Sequence, residues 1–163
     1  YVIEVKEFSD KRGFIKKIFY NYSTKFKLPK IKINESYYSF SKKHVLRGMH
    51  IQKKPKENYK IINCIEGLIN DVCIDLRPKS NTFLNIFSFK LNSNKVIFIP
   101  PGVAHGFLSL KDSMVLYHSD VLYNERLNDS IKWNSIDFNW NIKKPILSNK
   151  DFCAIDLKDY LKK

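Results

Sequence analysis

The sequence predicts an all-β fold, an antiparallel sandwich or small barrel with short peripheral helices, on three observations. Short strand-like segments are separated by turn signals such as Glu66-Gly67 and Pro100-Pro101-Gly102. Aromatic residues make up 14% of the chain, and only 5 of its 163 residues are Gly, which favours a sheet-rich interior over disorder. One segment alternates between polar and apolar residues. At this length a single domain over residues 1–163 is expected.

The strand-like segments have the spacing of an antiparallel sandwich or small barrel. The predicted strands cover residues 60–65, 68–76, 82–91, 95–99, 106–108 and 114–119. Helical patterns are scarce: residues 23–26 could form a turn, and residues 155–161 have a helical pattern near the C-terminus. The helices are therefore expected at the periphery.

The alternating segment is Asn70-Asp71-Val72-Cys73-Ile74-Asp75-Leu76. Because side chains in a strand alternate between faces, Asp71 and Asp75 share one face with Cys73, and hydrocarbon side chains occupy the other. A strand with acids on one face must direct that face to solvent or to a polar cavity. In a barrel, the interior can be that cavity.

Charge and composition exclude several classes of protein. The net charge of +13 comes from Lys residues scattered along the chain, which form either a solvated surface or a field attracting a diphosphate-bearing substrate. No zinc spacing, basic helix or RNA-binding motif accompanies this charge, so no nucleic-acid partner is expected. The apolar runs are too short to cross a membrane, and we expect no leader and no membrane partner. Three Cys without metal-like spacing indicate a reducing cytoplasm.

Two of the four His residues lie in informative segments. His105 ends Pro100-Pro101-Gly102-Val103-Ala104-His105, which matches the Pro-x-Gly-x-x-His pattern of cupin barrels. His50 lies in Leu46-Arg47-Gly48-Met49-His50-Ile51-Gln52. Since imidazole titrates near neutrality, each is a candidate general base.

Further segments occur in the same order and spacing as in one known family. They are Asp10-Lys11-Arg12-Gly13-Phe14, Ser41-Lys42-Lys43, Lys60, Asp71 through Arg77, the Ser80 to Phe83 turn, Leu116-Tyr117, Ile131-Lys132-Trp133-Asn134, and Pro145 through Asp151. With the two His segments, they make the chain resemble the dTDP-4-dehydrorhamnose 3,5-epimerases over nearly its whole length. The resemblance implies a cupin-type antiparallel jelly-roll barrel and an isomerase acting on a nucleotide-diphosphate sugar.

The donor residues of a metal-binding cupin are incomplete. Many cupins bind a metal through a His-x-His pair, a downstream Glu and a later His, whereas here the second His of the pair is Gln52. Neither Glu57 nor Glu66 offers a clear replacement. We therefore expect no metal and no cofactor.

The chemistry of a 4-keto sugar assigns roles to four residues. The carbonyl acidifies the hydrogens on C3 and C5, so His50 is predicted to be the base. The resemblance supplies Asp151 as the partner that fixes the His50 tautomer, and Lys60 as the cation facing the enolate oxygen. Inversion needs a proton from the opposite face of the ring, and the acid Tyr of the family corresponds to Tyr117.

Substrate binding is predicted at five positions. Arg12 and Arg47 offer bidentate geometry for phosphate oxygens or sugar hydroxyls, while Tyr123 matches the Tyr on which the family stacks the base. His105 and Lys150 match positions that contact the nucleotide sugar. Since relatives pair two barrels, a homodimer is expected, with Arg12 available to the neighbouring site.

The sequence departs from the family pattern near the ligand. Glu35 lies in a stretch that is usually Gln-Asp-Asn, and Lys17 and Asn128 replace acids. Two alternatives therefore stay open from the sequence. One is a C3-only epimerase of a GDP- or CDP-linked 4-keto deoxysugar or heptose, and the other is a non-catalytic cupin that binds a nucleotide sugar.

Overall fold

Two antiparallel sheets form most of the structure, a computed structural model that describes residues 1–19 and 29–162. The turn predicted at residues 23–26 lies outside this described part. In chain order the strands are β1 (Val2–Glu4), β2 (Glu7–Asp10), β3 (Gly13–Lys16), β4 (Glu35–Ser41), β5 (Leu46–Gln52), β6 (Lys60–Glu66), β7 (Ile69–Asp75), β8 (Ile86–Leu91), β9 (Lys95–Ile99), β10 (Val103–Ser109), β11 (Ser113–Ser119) and β12 (Asn128–Ser130).

The strands are ordered β1-β9-β6-β11-β4 in the first sheet and β12-β5-β10-β7-β8 in the second, while β2 and β3 form a separate hairpin. The strand pairs are antiparallel. Neighbours in the sheets are mostly distant in sequence, as in a jelly roll rather than a meander. The predicted all-β jelly-roll class is confirmed.

Three apolar clusters fix this arrangement. One lies between the two sheets and contains Ile62 and Val115 from the first sheet with Ile69 and Phe107 from the second. The C-terminal segment, including Trp140, covers the outer face of the second sheet. The N-terminal segment covers the outer face of the first sheet in the same way. Because the second sheet is covered on both sides, its central strands are buried on both faces.

Strand β7 bears out the predicted alternation. Cys73 packs in the cluster between the sheets, and Asp71 on the same face is fully buried. Val72 and Ile74 pack outward, beneath the C-terminal segment. The acid-bearing face therefore points into the barrel and not into solvent.

The six predicted strands correspond to β6 through β11, with two corrections at their ends. The strand predicted to begin at residue 82 begins at Ile86, because a turn anchored on the Asp75 carboxylate occupies the residues before it. Ser80 Oγ and Thr82 Oγ1 donate to Asp75 Oδ2 at 2.7 and 2.6 Å, and Arg77 pairs with the same carboxylate. Strand β10 is longer than predicted, since Val103–Ser109 pairs along the whole of β7.

The helices are short and peripheral, as expected. They are α1 (Asn149–Phe152) and α2 (Leu157–Tyr160), with a 3₁₀ turn at Glu125–Leu127. Helix α2 is shorter than the predicted 155–161, and α1 was not predicted. In the described ranges, none of the helices has the length and apolar character needed to span a membrane.

Candidate active site

A cavity of about 230 Å³ opens between the two sheets. His50 on β5 and His105 on β10 enter it from the second sheet, where they are directly paired neighbours. Tyr117 on β11 and Lys60 on β6 enter it from the first sheet. The predicted base and the predicted acid therefore face one hollow from opposite walls.

A glycine permits the close approach of β5 and β10 that places these two histidines. Gly48 has φ +113°, and a Cβ at this position would lie 2.5 Å from the Cα of Gly106. Any side chain there would push the strands apart and shift His50 relative to His105. The Gly in the Leu46-Arg47-Gly48-Met49-His50 motif is thus explained by packing.

Asp151 lies immediately behind His50. Its Oδ1 is 2.6 Å from His50 Nε2, and its Oδ2 accepts a hydrogen bond from Ser148 Oγ at 2.9 Å. Ser148 also caps α1 by accepting from the backbone N–H of Asp151. The short helix that the sequence did not predict is therefore the element that aims the carboxylate at the imidazole.

This pair has a defined protonation pattern. Burial raises the pKa of Asp151, but hydrogen bonds from His50, Ser148 and the Gly48 backbone, with the attraction of His50, outweigh it and hold the pKa below its usual value. Asp151 is therefore an acceptor at neutral pH. An acceptor at Nε2 places the proton of neutral His50 on that nitrogen and leaves Nδ1 with a lone pair. The His50 side chain is 28% exposed, so a ligand in the cavity can reach it.

Lys60 is a buried cation whose pKa is lowered to about 8. Burial is the main cause, and the nearby Asp71 works against it. Lys60 is therefore mostly protonated at neutral pH, because its pKa still lies above 7. In this site it can place a positive charge beside a developing oxyanion.

His105 and Asp71 form a second buried pair, 3.5 Å apart between Nδ1 and Oδ2. Burial is the main cause that lowers the pKa of His105 well below its usual value, and the nearby Lys60 acts in the same direction. Burial also raises the pKa of Asp71 well above its usual value. His105 is thus a neutral imidazole and not a cation. The alternation of β7 indicated that Asp71 points inward, but not that it faces His105.

Tyr117 is buried, and its phenol oxygen lies 3.2 Å from Ser39 Oγ. Burial raises its pKa above the ordinary range, while the Ser39 hydrogen bond and the nearby Arg47 lower it. Arg47 is held in turn by Ser41 Oγ and the Phe40 carbonyl, at 2.8 and 3.1 Å. Tyr117 is therefore protonated at neutral pH and available as an acid.

Tyr123 and Lys150 form one end of the cavity. Lys150 Nζ donates to the Tyr123 phenol oxygen at 3.3 Å, and it lies 5.9 Å from the ring centroid. Glu35 accepts from the backbone N–H of Tyr123 at 3.0 Å and fixes the loop that carries it. The exposed ring of Tyr123 offers a flat surface for stacking.

Arg12 is the one predicted site residue that lies elsewhere. It is on the β2–β3 hairpin, where its guanidinium pairs with Asp10 and its side chain is 80% exposed. The other predicted residues line the cavity or, in the case of Asp151, touch a residue that does. Eight residues without a predicted role also line it: Glu35, Tyr37, Ser39, Gln52, Asn58, Phe107, Ser119 and Asn128. The period-two pattern of β4 is the signal that could have identified Tyr37 and Ser39.

Gln52, at the position of the second His in metal-binding cupins, is committed to backbone groups. Its Nε2 donates to the carbonyls of Lys56 and Leu122, and its Oε1 accepts from the N–H of Asn124. Within residues 1–19 and 29–162, no group of three His, Cys, Asp or Glu side chains is arranged to hold a metal ion. The absence of a cofactor stays a prediction.

Comparison with known proteins identifies the family. The family model for dTDP-4-dehydrorhamnose 3,5-epimerase matches residues 1–159. The chain is 35% identical over 161 residues to the dTDP-4-dehydrorhamnose 3,5-epimerase of Salmonella typhimurium, covering 94% of this chain and 87% of that protein. The chain belongs to the dTDP-4-dehydrorhamnose 3,5-epimerase family. It is therefore an isomerase, as the resemblance implied.

Solved structures of dTDP-4-dehydrorhamnose 3,5-epimerases have the same fold. The enzyme of Bacillus anthracis, solved with TDP and PPi bound, gives a TM-score of 0.90 at 30% identity and covers 96% of this chain and 93% of its own. The epimerase of Legionella pneumophila, solved in complex with dTDP-4-keto-L-rhamnose, gives 0.90 at 28% identity and covers 98% and 90%. The family is shown by sequence similarity, and the cavity is seen in the structure of this chain.

Proposed function

We propose that this chain inverts C3 and C5 of a dTDP-linked 4-keto-6-deoxysugar by proton transfer, without a metal or other cofactor. The observation that carries the proposal is the placement of the His50–Asp151 pair and Tyr117 on opposite walls of one cavity. Inversion requires a base on one face of the pyranose ring and an acid on the other. A ring lying between these walls meets both requirements.

In the first half of the reaction, His50 Nδ1 removes the proton from the carbon beside the ketone. The electrons of the C–H bond form a carbon–carbon double bond, and C4 carries an enolate oxygen. Asp151 stabilises the imidazolium because its carboxylate is 2.6 Å from Nε2. Lys60 stabilises the enolate, since its charge is buried in the same cavity.

In the second half, Tyr117 delivers its phenolic proton to the opposite face of the same carbon, and the ketone re-forms. The remaining cavity residues bind the substrate. Tyr123 stacks on the base, and Arg47, His105 and Lys150 contact the diphosphate and sugars. The named ligands of the related structures, TDP with PPi and dTDP-4-keto-L-rhamnose, support a dTDP-linked substrate.

Isotope exchange tests this proposal. The protein is incubated in deuterated water with dTDP-, GDP- and CDP-linked 4-keto-6-deoxysugars, and deuterium at C3 and C5 is measured. We expect incorporation at both carbons with the dTDP sugar. Incorporation at C3 alone, or only with a GDP or CDP sugar, would replace the proposal with a C3-specific or differently linked epimerase. Binding without exchange would indicate a non-catalytic cupin.

We further propose that the chain acts as a homodimer and that Arg12 serves the neighbouring site. The hairpin that carries Arg12 exposes Phe14 and Ile15, and the edge strand β4 exposes Tyr38 and Phe40. Apolar surface on a hairpin and on an unpaired edge favours association. Because Arg12 lies outside the cavity of its own chain, a contact with substrate requires a second subunit.

Sedimentation at micromolar concentration checks this arrangement, and we expect a dimer. Mixing Arg12→Ala protein with His50→Asn protein should then restore part of the activity, because mixed dimers contain one site with both native residues. A monomer that is fully active would contradict the proposal. A cytoplasmic location and a single domain over residues 1–163 stay predictions.

Asp151→Asn is expected to lower turnover less than loss of the base itself does. The amide can still hold the ring, but it no longer stabilises the imidazolium, which costs on the order of ten-fold to a hundred-fold in rate. Initial rates of deuterium incorporation measure the effect. Asp156→Asn is a suitable control, because Asp156 lies near α2, outside the cavity. Equal rates for Asp151→Asn and the native protein would remove Asp151 from the mechanism.

Activity is expected to decline as the pH rises through about 8, where Lys60 loses its proton. The buried ammonium has a lowered pKa, so its charge is present below that pH and is lost above it. The profile of kcat/KM against pH measures this alkaline decline in the free enzyme. In Lys60→Arg the decline in kcat/KM should move to higher pH, because a guanidinium stays protonated. If the decline occurs at the same pH in Lys60→Arg, another group must cause it.

A further inference from the structure

We propose that Ser39 and Tyr37, neighbours on the inner face of β4, are positioning residues for the acid Tyr117. Ser39 fixes the phenol oxygen, and Tyr37 fixes the plane of the ring. This inference rests on the proposed function, in which Tyr117 donates the proton that completes inversion. It adds two residues to the proposed acid–base pair and assigns a role to β4 in the reaction.

The register of the first sheet brings the three side chains together. Tyr117 on β11 is the direct partner of Tyr37 on β4. Their rings are stacked, with centroids 4.7 Å apart and an angle of 13° between the planes. Ser39 follows two residues later on the same face, and its Oγ lies 3.2 Å from the Tyr117 phenol oxygen. All three residues line the cavity.

These contacts restrain the two freedoms that matter for a proton donor. The χ2 rotation of a Tyr ring is soft, and a parallel ring at stacking distance limits it. The phenol oxygen needs to lie within hydrogen-bonding reach of the carbon that it protonates. Holding the ring plane and the oxygen together keeps the acid directed at that carbon throughout the reaction.

Ser39 also has an electrostatic role once the proton has left. The proton moves from Tyr117 to the sugar carbon, and the electron pair of the broken O–H bond stays on the phenolate. The Ser39 hydroxyl can then donate to this anion while keeping its own proton. Burial opposes the phenolate, and the Ser39 hydrogen bond acts in the other direction. His50 later releases its extra proton to water, and Tyr117 regains one from water, so the enzyme returns to its starting state.

The experiment separates removal of the proton from its return to the opposite face. In deuterated water, His50 can exchange its proton and return deuterium to the same face, which labels the sugar with retained configuration. Delivery from Tyr117 gives labelled sugar with inverted configuration. Nuclear magnetic resonance of early time points distinguishes the two products, and their ratio reports on the acid alone.

For Ser39→Ala we expect the inversion rate to fall roughly ten-fold, the effect of about one hydrogen bond to a charged group. Label with retained configuration should form at the native rate. Tyr37→Leu should shift the ratio in the same direction, whereas Tyr37→Phe, which retains the stacked ring, should restore it. Ser36→Ala is the matched control, because Ser36 is on the outer face of β4, bonded to His118. It should leave both rates unchanged.

Three outcomes would overturn the inference. Native rates of both reactions in Ser39→Ala would remove Ser39 from the reaction. A parallel fall in both rates would assign it a structural role. Equal ratios in Tyr37→Leu and Tyr37→Phe would show that the stack is irrelevant. Absence of any label with native protein would instead reject the proposed function, so the two failures are distinguishable.

Discussion

His50→Asn is expected to lower both deuterium incorporation at C3 and C5 and turnover roughly a hundred-fold to ten-thousand-fold. Asparagine fits within the space of the imidazole, and Asp151 keeps its hydrogen bond from Ser148, so the wall of the cavity should keep its shape. An amide, however, does not accept a proton from carbon at neutral pH. Because both inversions begin with proton removal, exchange with retained configuration and inversion should fall together.

A second histidine provides the control for this experiment. His118 lies on β11 but points to the outer face, where Nδ1 is 2.8 Å from Ser36 Oγ. His118→Asn should exchange deuterium at the native rate. Thermal unfolding of both variants should differ little from that of the native protein, since His50 is partly exposed in the cavity. Exchange at the native rate in folded His50→Asn would reject His50 as the base.

Tyr117→Phe is expected to reduce inversion by a similar factor, while exchange with retained configuration continues. Phe keeps the aromatic contact with Tyr37 and the packing between the sheets, so the change removes little more than the hydroxyl. Without this acid, the enolate can recover a proton only from the face where His50 lies. The substrate would then accumulate label without changing configuration.

This partition between labelled substrate and labelled product is the measurement that identifies the acid. Tyr160→Phe removes a hydroxyl from a partly buried Tyr on α2, outside the cavity, and should leave the partition unchanged. If Tyr117→Phe inverts the sugar at the native rate, another group must donate the proton. If exchange and inversion fall equally, Tyr117 contributes to substrate binding and not to proton return.

The sequence predicts β6 to β11 but not the other strands, which include the seven-residue β4 and β5. Strands β6 to β11 have alternating or apolar residues between clear turn signals, and each was placed close to its observed position. Strand β12 has three residues, and it is a strand because it pairs with β5, some 80 residues earlier. Helix α1 has four residues and depends on the Ser148 cap. Propensity does not predict elements of this length.

The site also contains residues that only the folded structure brings together. His50 and Asp151 are 101 residues apart, and without the family resemblance Asp151 would have been interpreted as a loop or cap carboxylate. The roles of Tyr37 and Ser39 depend on the register between β4 and β11, two strands that lie far apart in the sequence. Arg12 is the opposite case. Its sequence motif is clear, but its side chain lies outside the cavity of its own chain.

The hydrogen bonds of Gln52 limit how a metal site could be built into this cavity. Its amide joins three backbone groups, at Lys56, Leu122 and Asn124, in the loops beside the cavity. A histidine offers one donor and one acceptor when neutral, so it cannot replace all three bonds. Exchanging this amide for a second imidazole would therefore loosen both loops before any ion could bind. A metal-binding variant of this barrel would therefore need changes in the loops as well as in the strand.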